Sequence, residues 1–165
     1  MTNCSVQSRT WSELSVDELY AFLKLRTDVF FVEQKVDEEE LDNRDQEPST
    51  IHLWVMDAAG TAAYLRVLVD DVPSHLDARH IIGRVVVRED RRGEGLAQLL
   101  IEEALRAHLD VAFVLHAQTY VTGLYGRYGF AVDGDDFIEA GIPHVTMYRP
   151  AGRIAASTVS EARTA

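Results

Sequence analysis

The chain has 165 residues, 47% of them hydrophobic and 26% charged, and its formal net charge is −11 at pH 7. This length suits one domain with a substantial core rather than two, and the charge disfavours binding to nucleic-acid phosphates. No run approaches the roughly 20 apolar residues of a membrane span. The N-terminus carries neither a basic region nor an apolar run, so we expect a cytoplasmic protein. The single cysteine, Cys4, cannot form an internal disulfide, and we expect no nucleophilic role for it in a loose terminus.

The first predicted element is a helix that runs from Val16 to about Phe31. Ser15 and Glu18 form the pattern of a capping box at its start, and apolar residues then recur at helical spacing. Arg26 falls on this apolar face. Two interpretations stay open for it: either the stem packs while the guanidinium reaches solvent, or the arginine is buried at the acceptor site or paired with a nearby carboxylate.

An acidic segment follows the helix. Runs of this kind usually form a solvated face, but one or two of these carboxylates could instead line the entrance of a cationic substrate, which a chain of negative charge accommodates easily. The acidic residues lie between Glu33 and Glu47 and include Glu38, Glu39, Glu40, Asp42 and Asp45.

The rest of the chain predicts a mixed sheet flanked by helices, an α/β (α+β) architecture. The apolar run at 111–115 is typical of a strand buried on both faces and parallel to its neighbour. Beyond Pro150 the Ala/Ser/Thr/Arg tail has nothing to bury, so we expect a domain over 1–150 and a disordered tail over 151–165. The predicted strands are 52–56, 62–69, 81–88, 111–115, 137–139 and 145–148, and the predicted helices after the first begin at Leu96 and span 122–128.

A β-branched run, Val85 to Val87, ends at a charged loop that contains two glycines and leads directly into a helix. Gly93 and Gly95 permit backbone conformations in which successive N–H groups converge on one point, and a helix start favours an anion there. Arg91 and Arg92 add guanidinium groups suited to phosphate oxygens. The loop lacks the Gly-Lys-Ser/Thr ending of a P-loop, and the dinucleotide pattern fails at Gln98. The alternative to an anion-binding site is an ordinary tight turn between strand and helix with arginines on the surface.

Arg92-x-x-Gly95-x-Ala97 resembles the coenzyme A signature of the GNAT acyltransferases, and the segment from Gln118 through Tyr125 to Gly129-Phe130 resembles that family's second landmark. Leu25 to Gln34 and Gly141 to His144 resemble segments of its ElaA-like branch. Together the matches run from about Leu14 to Pro150. Gln118 stands where Asn is commoner in the family, and Ala97 stands where Gly is commoner. Gln118 keeps the amide group and Ala97 keeps the small size, so neither departure puts coenzyme A binding in doubt.

This resemblance implies a GNAT fold in which two parallel strands splay apart and acetyl-CoA, the expected cosubstrate, enters between them without a metal. Tyr125 would protonate the leaving thiolate, since a phenol stays protonated at neutral pH, although its ring could instead serve only packing. Glu33 and His144 are the candidate general bases, and His116 is a weaker one. The expected donor contacts are the backbone of Val85, Val86 and Val87, the loop residues Arg91, Arg92, Gly93, Glu94, Gly95, Leu96 and Ala97, and the side chains of Gln118 and Tyr125.

The expected function is direct transfer of an acetyl group to a primary amine of a small molecule or peptide, with a cationic small molecule as partner and neither nucleic acid nor membrane. Exposed terminal strands leave room for a homodimer. Two alternatives remain open: an acyl-homoserine-lactone synthase, whose N-terminal segment is also similar, and a non-catalytic sensor that binds coenzyme A.

Overall fold

A computed structural model describes residues 5–152, so Cys4 and residues 153–165 of the expected tail lie outside the described part. The strands are β1 (Val6–Thr10), β2 (Ile51–Asp57), β3 (Gly60–Val69), β4 (His80–Val87), β5 (Phe113–Gln118), β6 (Ala131–Val132), β7 (Phe137–Glu139) and β8 (Ile142–Arg149). The helices are α1 (Val16–Arg26), α2 (Leu96–Ala107) and α3 (Thr122–Gly126), with a π-helical segment at Thr27–Glu33 and 3-10 turns at Trp11–Glu13, Arg44–Gln46, Glu89–Arg91 and Thr119–Val121.

The strands form one mixed sheet in the order β1-β2-β3-β4-β5-β8-β6, and β7 also pairs with β8. Neighbours are antiparallel except β4 and β5, which are parallel. Within the described residues these two strands pair only at their beginnings, His80 with Phe113 and Ile81 with Val114. Beyond those pairs the strands diverge, so a wedge opens toward their carboxyl ends, as expected from the sequence.

Helix α1 begins as the capping box predicts. The Ser15 hydroxyl accepts the Glu18 N–H at 3.2 Å, and the Glu18 carboxylate accepts the Ser15 N–H at 2.9 Å. The helix continues past Arg26 as predicted, but residues Thr27–Glu33 are π-helical. The Gln34 N–H donates to the Val29 carbonyl at 2.9 Å and closes this segment. Segments of this rare type occur frequently at functional sites.

The sheet is buried on both faces, because α2 covers one side and α1 the other. Leu100 and Ile101 of α2 pack with Leu53 and Leu65, whereas Phe22 of α1 packs with alternate residues of the same strands, Trp54 and Tyr64. Period-two alternation sends neighbouring residues to opposite faces. Two buried faces explain why β2 and β3 are almost continuously apolar.

Several element limits differ from the sequence prediction. The predicted strand at 111–115 starts at Phe113 and continues to Gln118, and the short helix ends at Gly126. Strand β1 and the two-residue β6 had no residues assigned, because both are short, half-buried or exposed edge strands that sheet pairing stabilises. None of the helices within residues 5–152 has the length and apolar character needed to cross a membrane.

Candidate active site

The wedge between β4 and β5 opens into a cleft of about 550 Å³. It is bounded by the π-helical segment, by the acidic segment and by the ends of the two strands. Ten residues that were predicted to bind the donor or to act in catalysis line this cleft. They are Val85, Val86, Val87, Tyr125, Glu33, His144, His116, Arg92, Ala97 and Gln118.

A bulge in β4 changes the direction of the strand just before the valines. Tyr64 pairs with Val86 but Arg66 pairs with Gly83, so β4 contains one extra residue. Arg84 lies in this bulge with φ of +55°, a left-handed conformation that is uncommon for a residue with a side chain. Sequence reasoning did not find the bulge.

The backbone after the bulge presents hydrogen-bonding groups to the open wedge. The Arg88 N–H donates to the Ala62 carbonyl of β3 at 2.9 Å. Because N–H groups alternate in direction along a strand, the Val87 N–H points away from β3, toward the wedge. This amide is therefore in a position to polarise a carbonyl bound between the strands.

The glycine loop has the backbone conformation that the sequence indicates. Gly93 and Gly95 both have φ of +81°, where L side chains are strained. The first intrahelical hydrogen bond of α2 runs from the Leu99 N–H to the Gly95 carbonyl at 3.0 Å, so the amides of 96–98 lie at the exposed helix start. These groups fit a pyrophosphate.

The two loop arginines contact carboxylates of the protein itself. Arg91 pairs with Asp57 and, at 2.9 Å, with Glu94. Arg88 also donates to Asp57, at 2.7 Å, and its hydrogen bonds are the main reason that the pKa of Asp57 falls to about 2. Sequence reasoning missed this Asp57 anchor, because Asp57 lies 31 positions before Arg88 and 34 before Arg91 in the chain.

Arg92 forms a two-pronged ion pair with Glu33 across the mouth of the cleft. The Glu33 carboxylate accepts from both terminal nitrogens of Arg92, at 2.8 and 2.6 Å, and the Arg92 Nε donates to the Val87 carbonyl at 3.1 Å. The hydrogen bond from Arg92 lowers the pKa of Glu33. Glu33 is consequently a weak proton acceptor in this arrangement.

Tyr125 lies on α3 with its ring buried and in edge contact with Phe130, at 6.1 Å between centroids. Burial raises the pKa of Tyr125 to about 12. The phenol is therefore fully protonated at neutral pH, as a general acid requires. Its ring also serves packing, so the two interpretations of Tyr125 are compatible.

The two candidate histidines differ in their surroundings. His144 on β8 is buried, and its Nδ1 lies 2.8 Å from the Ile142 carbonyl, which must accept a proton from it. His144 Nε2 is then the ring nitrogen with a lone pair. His116 is half-exposed on β5 and pairs with Glu139 at 3.0 Å.

Part of the acidic segment forms a buried ionic network instead of a solvated face. Arg26 is fully buried and donates to Asp45 at 2.8 Å and to Glu40; Arg66 donates to the same Asp45 oxygen at 2.9 Å and to Asp42. Burial alone would raise the pKa of Asp45, but the bonds and charges of these arginines outweigh it and lower the pKa. Arg26 is therefore buried and paired with carboxylates, and its guanidinium does not reach solvent.

The same network fixes one rim of the cleft. Arg84 pairs with Glu40 at 2.7 Å and reaches Asp42, which ties the acidic segment to the bulge of β4. Glu38 accepts the Ala140 N–H at 2.9 Å and so joins this rim to the turn between β7 and β8. Glu38, Glu39 and Glu40 line the cleft, which agrees with the interpretation that carboxylates border the entrance.

A family comparison identifies this arrangement, because the Acetyltransferase (GNAT) domain matches residues 16–149. The chain belongs to the GNAT family. A curated relative from Mycobacterium tuberculosis, UPF0039 protein Rv2851c, is 38% identical over 145 residues, which cover 86% of this chain and 91% of that protein. The GNAT fold expected from the sequence agrees with three features of the structure. These are the diverging strands β4 and β5, the glycine loop before α2, and Tyr125 on α3.

Two solved structures place this GNAT protein in the ElaA-like branch. A Pseudomonas aeruginosa acyl-CoA N-acyltransferase is 39% identical, with a TM-score of 0.79 and coverage of 88% of this chain and 99% of that one. Escherichia coli ElaA is 34% identical, with a TM-score of 0.80 and the same coverage. The protein is thus similar over nearly its whole described length to a protein described as an acyl-CoA N-acyltransferase and to ElaA.

Seven of the twelve predicted donor residues of this GNAT domain line the cleft, namely Val85, Val86, Val87, Arg92, Ala97, Gln118 and Tyr125. Four others, Arg91, Glu94, Gly95 and Leu96, line a second hollow of about 450 Å³, and Gly93 lines neither. Arg91 is engaged by Asp57, so its expected role at the pyrophosphate remains a prediction. Across residues 5–152, no group of three or more His, Cys, Asp or Glu side chains is arranged to hold a metal ion.

Proposed function

We propose that the protein is an N-acetyltransferase that moves the acetyl group of acetyl-CoA directly to a primary amine of a small molecule or peptide. One observation supports this most strongly: a single cleft joins the open β4–β5 wedge to a buried phenol, Tyr125, and to a histidine with a free lone pair, His144. A site for the acyl donor, an acid and a base are the parts that direct aminolysis of a thioester needs.

The glycine loop and the start of α2 would hold the donor. Backbone amides at 96–98 supply N–H groups for a pyrophosphate, and Gly93 and Gly95 let the loop approach it closely. The pantetheine arm would then extend along the edge of β4 that has no partner strand, where the backbone of Val85 and Val87 is accessible.

The Val87 N–H and Tyr125 would act on opposite sides of the thioester. The amide stabilises negative charge on the carbonyl oxygen as the amine adds. As the carbon–sulfur bond breaks, Tyr125 donates its proton to the sulfur, the attacking nitrogen loses its second proton to solvent, and solvent returns a proton to the phenolate. Its pKa of about 12 keeps it protonated before each turnover.

His144 is the better supported base. An amine arrives as an ammonium ion at neutral pH and must lose a proton before its lone pair can attack. The Ile142 carbonyl fixes the Nδ1 proton of His144, so Nε2 is left to accept the proton. Glu33 is occupied by Arg92 and its pKa is lowered.

The acceptor would enter past the carboxylates of the acidic segment, which favour a cationic amine. Glu38 and Glu39 line the cleft, and the whole chain carries a charge of −11. An amine with a second positive charge is attracted by such a rim.

Thiol release from acetyl-CoA tests the proposal. The purified chain is incubated with acetyl-CoA or with longer acyl-CoA thioesters, in each case with a panel of amines that covers amino acids, polyamines, aminoglycosides and lysine peptides. We expect amine-dependent release with at least one class. Coenzyme A binding without release from any amine would favour the sensor alternative, and release only from longer acyl donors would favour a homoserine-lactone type of synthase.

A further inference from the structure

Two consecutive residues, Glu33 and Gln34, contact the ends of both splayed strands. Glu33 pairs with Arg92, which follows β4, and the Gln34 side-chain carbonyl accepts from Gln118, the last residue of β5, at 3.3 Å. The segment therefore bridges the mouth of the wedge. Arg92 and Gln118 are also the two side chains that the sequence assigns to donor binding on either strand.

The bridge occupies the donors of Arg92 that a phosphate would use. Both terminal nitrogens donate to the Glu33 carboxylate and Nε donates to the Val87 carbonyl. Carboxylate and phosphate oxygens accept the same fork of guanidinium N–H groups. Glu33 and a pyrophosphate held by Arg92 are consequently competitors for one guanidinium.

The backbone around the bridge combines a firm anchor with a sharp turn. The Gln34 N–H donates to the Val29 carbonyl at 2.9 Å, which closes the π-helical segment on α1. The next residue, Lys35, has φ of +59°, so the helical conformation ends immediately after the bridge. The side chains of Glu33 and Arg92 are 43% and 41% exposed, so solvent and anions reach the pair.

We propose that Glu33 and Gln34 form a strap across the donor wedge, and that the pyrophosphate of the incoming thioester displaces Glu33 from Arg92. This inference rests on the proposed function, since it takes the donor to be a coenzyme A thioester. In the free protein the strap spans the mouth of the wedge, and donor affinity is reduced by the cost of breaking the ion pair between Glu33 and Arg92.

Calorimetric titration with coenzyme A tests the strap. Glu33→Gln keeps the shape of the side chain but removes its charge, and exposed ion pairs of this kind change an equilibrium by about two- to fivefold. We expect the variant to bind coenzyme A tighter than wild type by that factor. Asp28→Asn is the matched control, because Asp28 is an exposed carboxylate of the same segment that pairs with Lys24 instead of Arg92.

Pantetheine, which lacks the pyrophosphate, is the second probe. The competition predicts that Glu33→Gln leaves its Kd unchanged. Equal coenzyme A affinities in wild type and Glu33→Gln, an equal gain in Asp28→Asn, or an equal gain for pantetheine would each overturn the strap while the proposed function stands. Failure of wild type and both variants to bind coenzyme A would overturn the proposed function, and the strap with it.

Discussion

Replacement of Tyr125 by Phe separates the acid from the packing partner. Phe keeps the buried ring and its edge contact with Phe130 but removes the only titratable atom. Loss of a general acid costs about 10²–10⁴-fold in the rate of the step it assists, equivalent to about 3–5 kcal/mol of barrier at 1.36 kcal/mol per decade. Because the pKa of Tyr125 is about 12, the wild-type phenol does not titrate between pH 6 and 10, so this loss is expected to be uniform over that range.

Single-turnover measurements, with the protein in excess over acetyl-CoA, isolate the transfer step from product release. Thiol release is followed at several pH values for wild type and Tyr125→Phe, and calorimetry checks that both bind coenzyme A equally. A transfer rate within about threefold of wild type would refute the acid role, since so small a loss lies far below the range expected for a general acid. It would leave Tyr125 as a core residue.

Three further predictions address the base, the network and the loop. His144→Ala is expected to abolish the acidic limb of the pH–rate profile, because only loss of the true base removes that limb. Glu33→Gln is expected to retain the limb. The opposite pattern would make Glu33, and not His144, the base. Asp45→Asn leaves two buried guanidinium groups short of a charge and is expected to cost about 3–5 kcal/mol in urea unfolding. Because the pKa of Asp45 is lowered in the folded protein, its contribution to the free energy of unfolding is complete above about pH 4 and is lost as the pH falls further. The difference in unfolding free energy between Asp45→Asn and wild type is therefore expected to shrink in acid. A difference independent of pH would contradict this. Gly95→Ala forces a side chain into a φ of +81° and is expected to lower stability by about 1–2 kcal/mol and to weaken coenzyme A binding, whereas Gly123→Ala, in a helix, does neither.

The backbone conformation of the glycine loop could be predicted because it depends on local residue preferences. A strand end, two glycines and a helix start are adjacent in the chain, so their spacing alone defines the loop between Val87 and Leu96. The tyrosine was identified from the resemblance of the segment from Gln118 to Gly129-Phe130 to a GNAT landmark. These short segments keep their conformation wherever the sheet puts them.

The acceptor side could not be predicted, because it depends on contacts between distant residues. Arg84 reaches Glu40 across 44 positions of the chain, and Glu33 reaches Arg92 across 59. Pattern reasoning recognises an acidic run but not the buried arginines that neutralise part of it. The bulge at Arg84 also has no residue signature, since its left-handed conformation lies at a non-glycine position.

The amino-acid sequence by itself determined the α/β architecture, the capped first helix and the donor loop, because each follows from periodicity or from the backbone preferences of neighbouring residues. Only the tertiary structure decided the state of the charged groups. Whether Arg26 is solvated or buried, and whether Glu33 is a base or a partner of Arg92, depends on which side chain comes within hydrogen-bond distance once the sheet has formed. Electrostatic energies vary with separation and burial, and neither quantity is encoded in residue order.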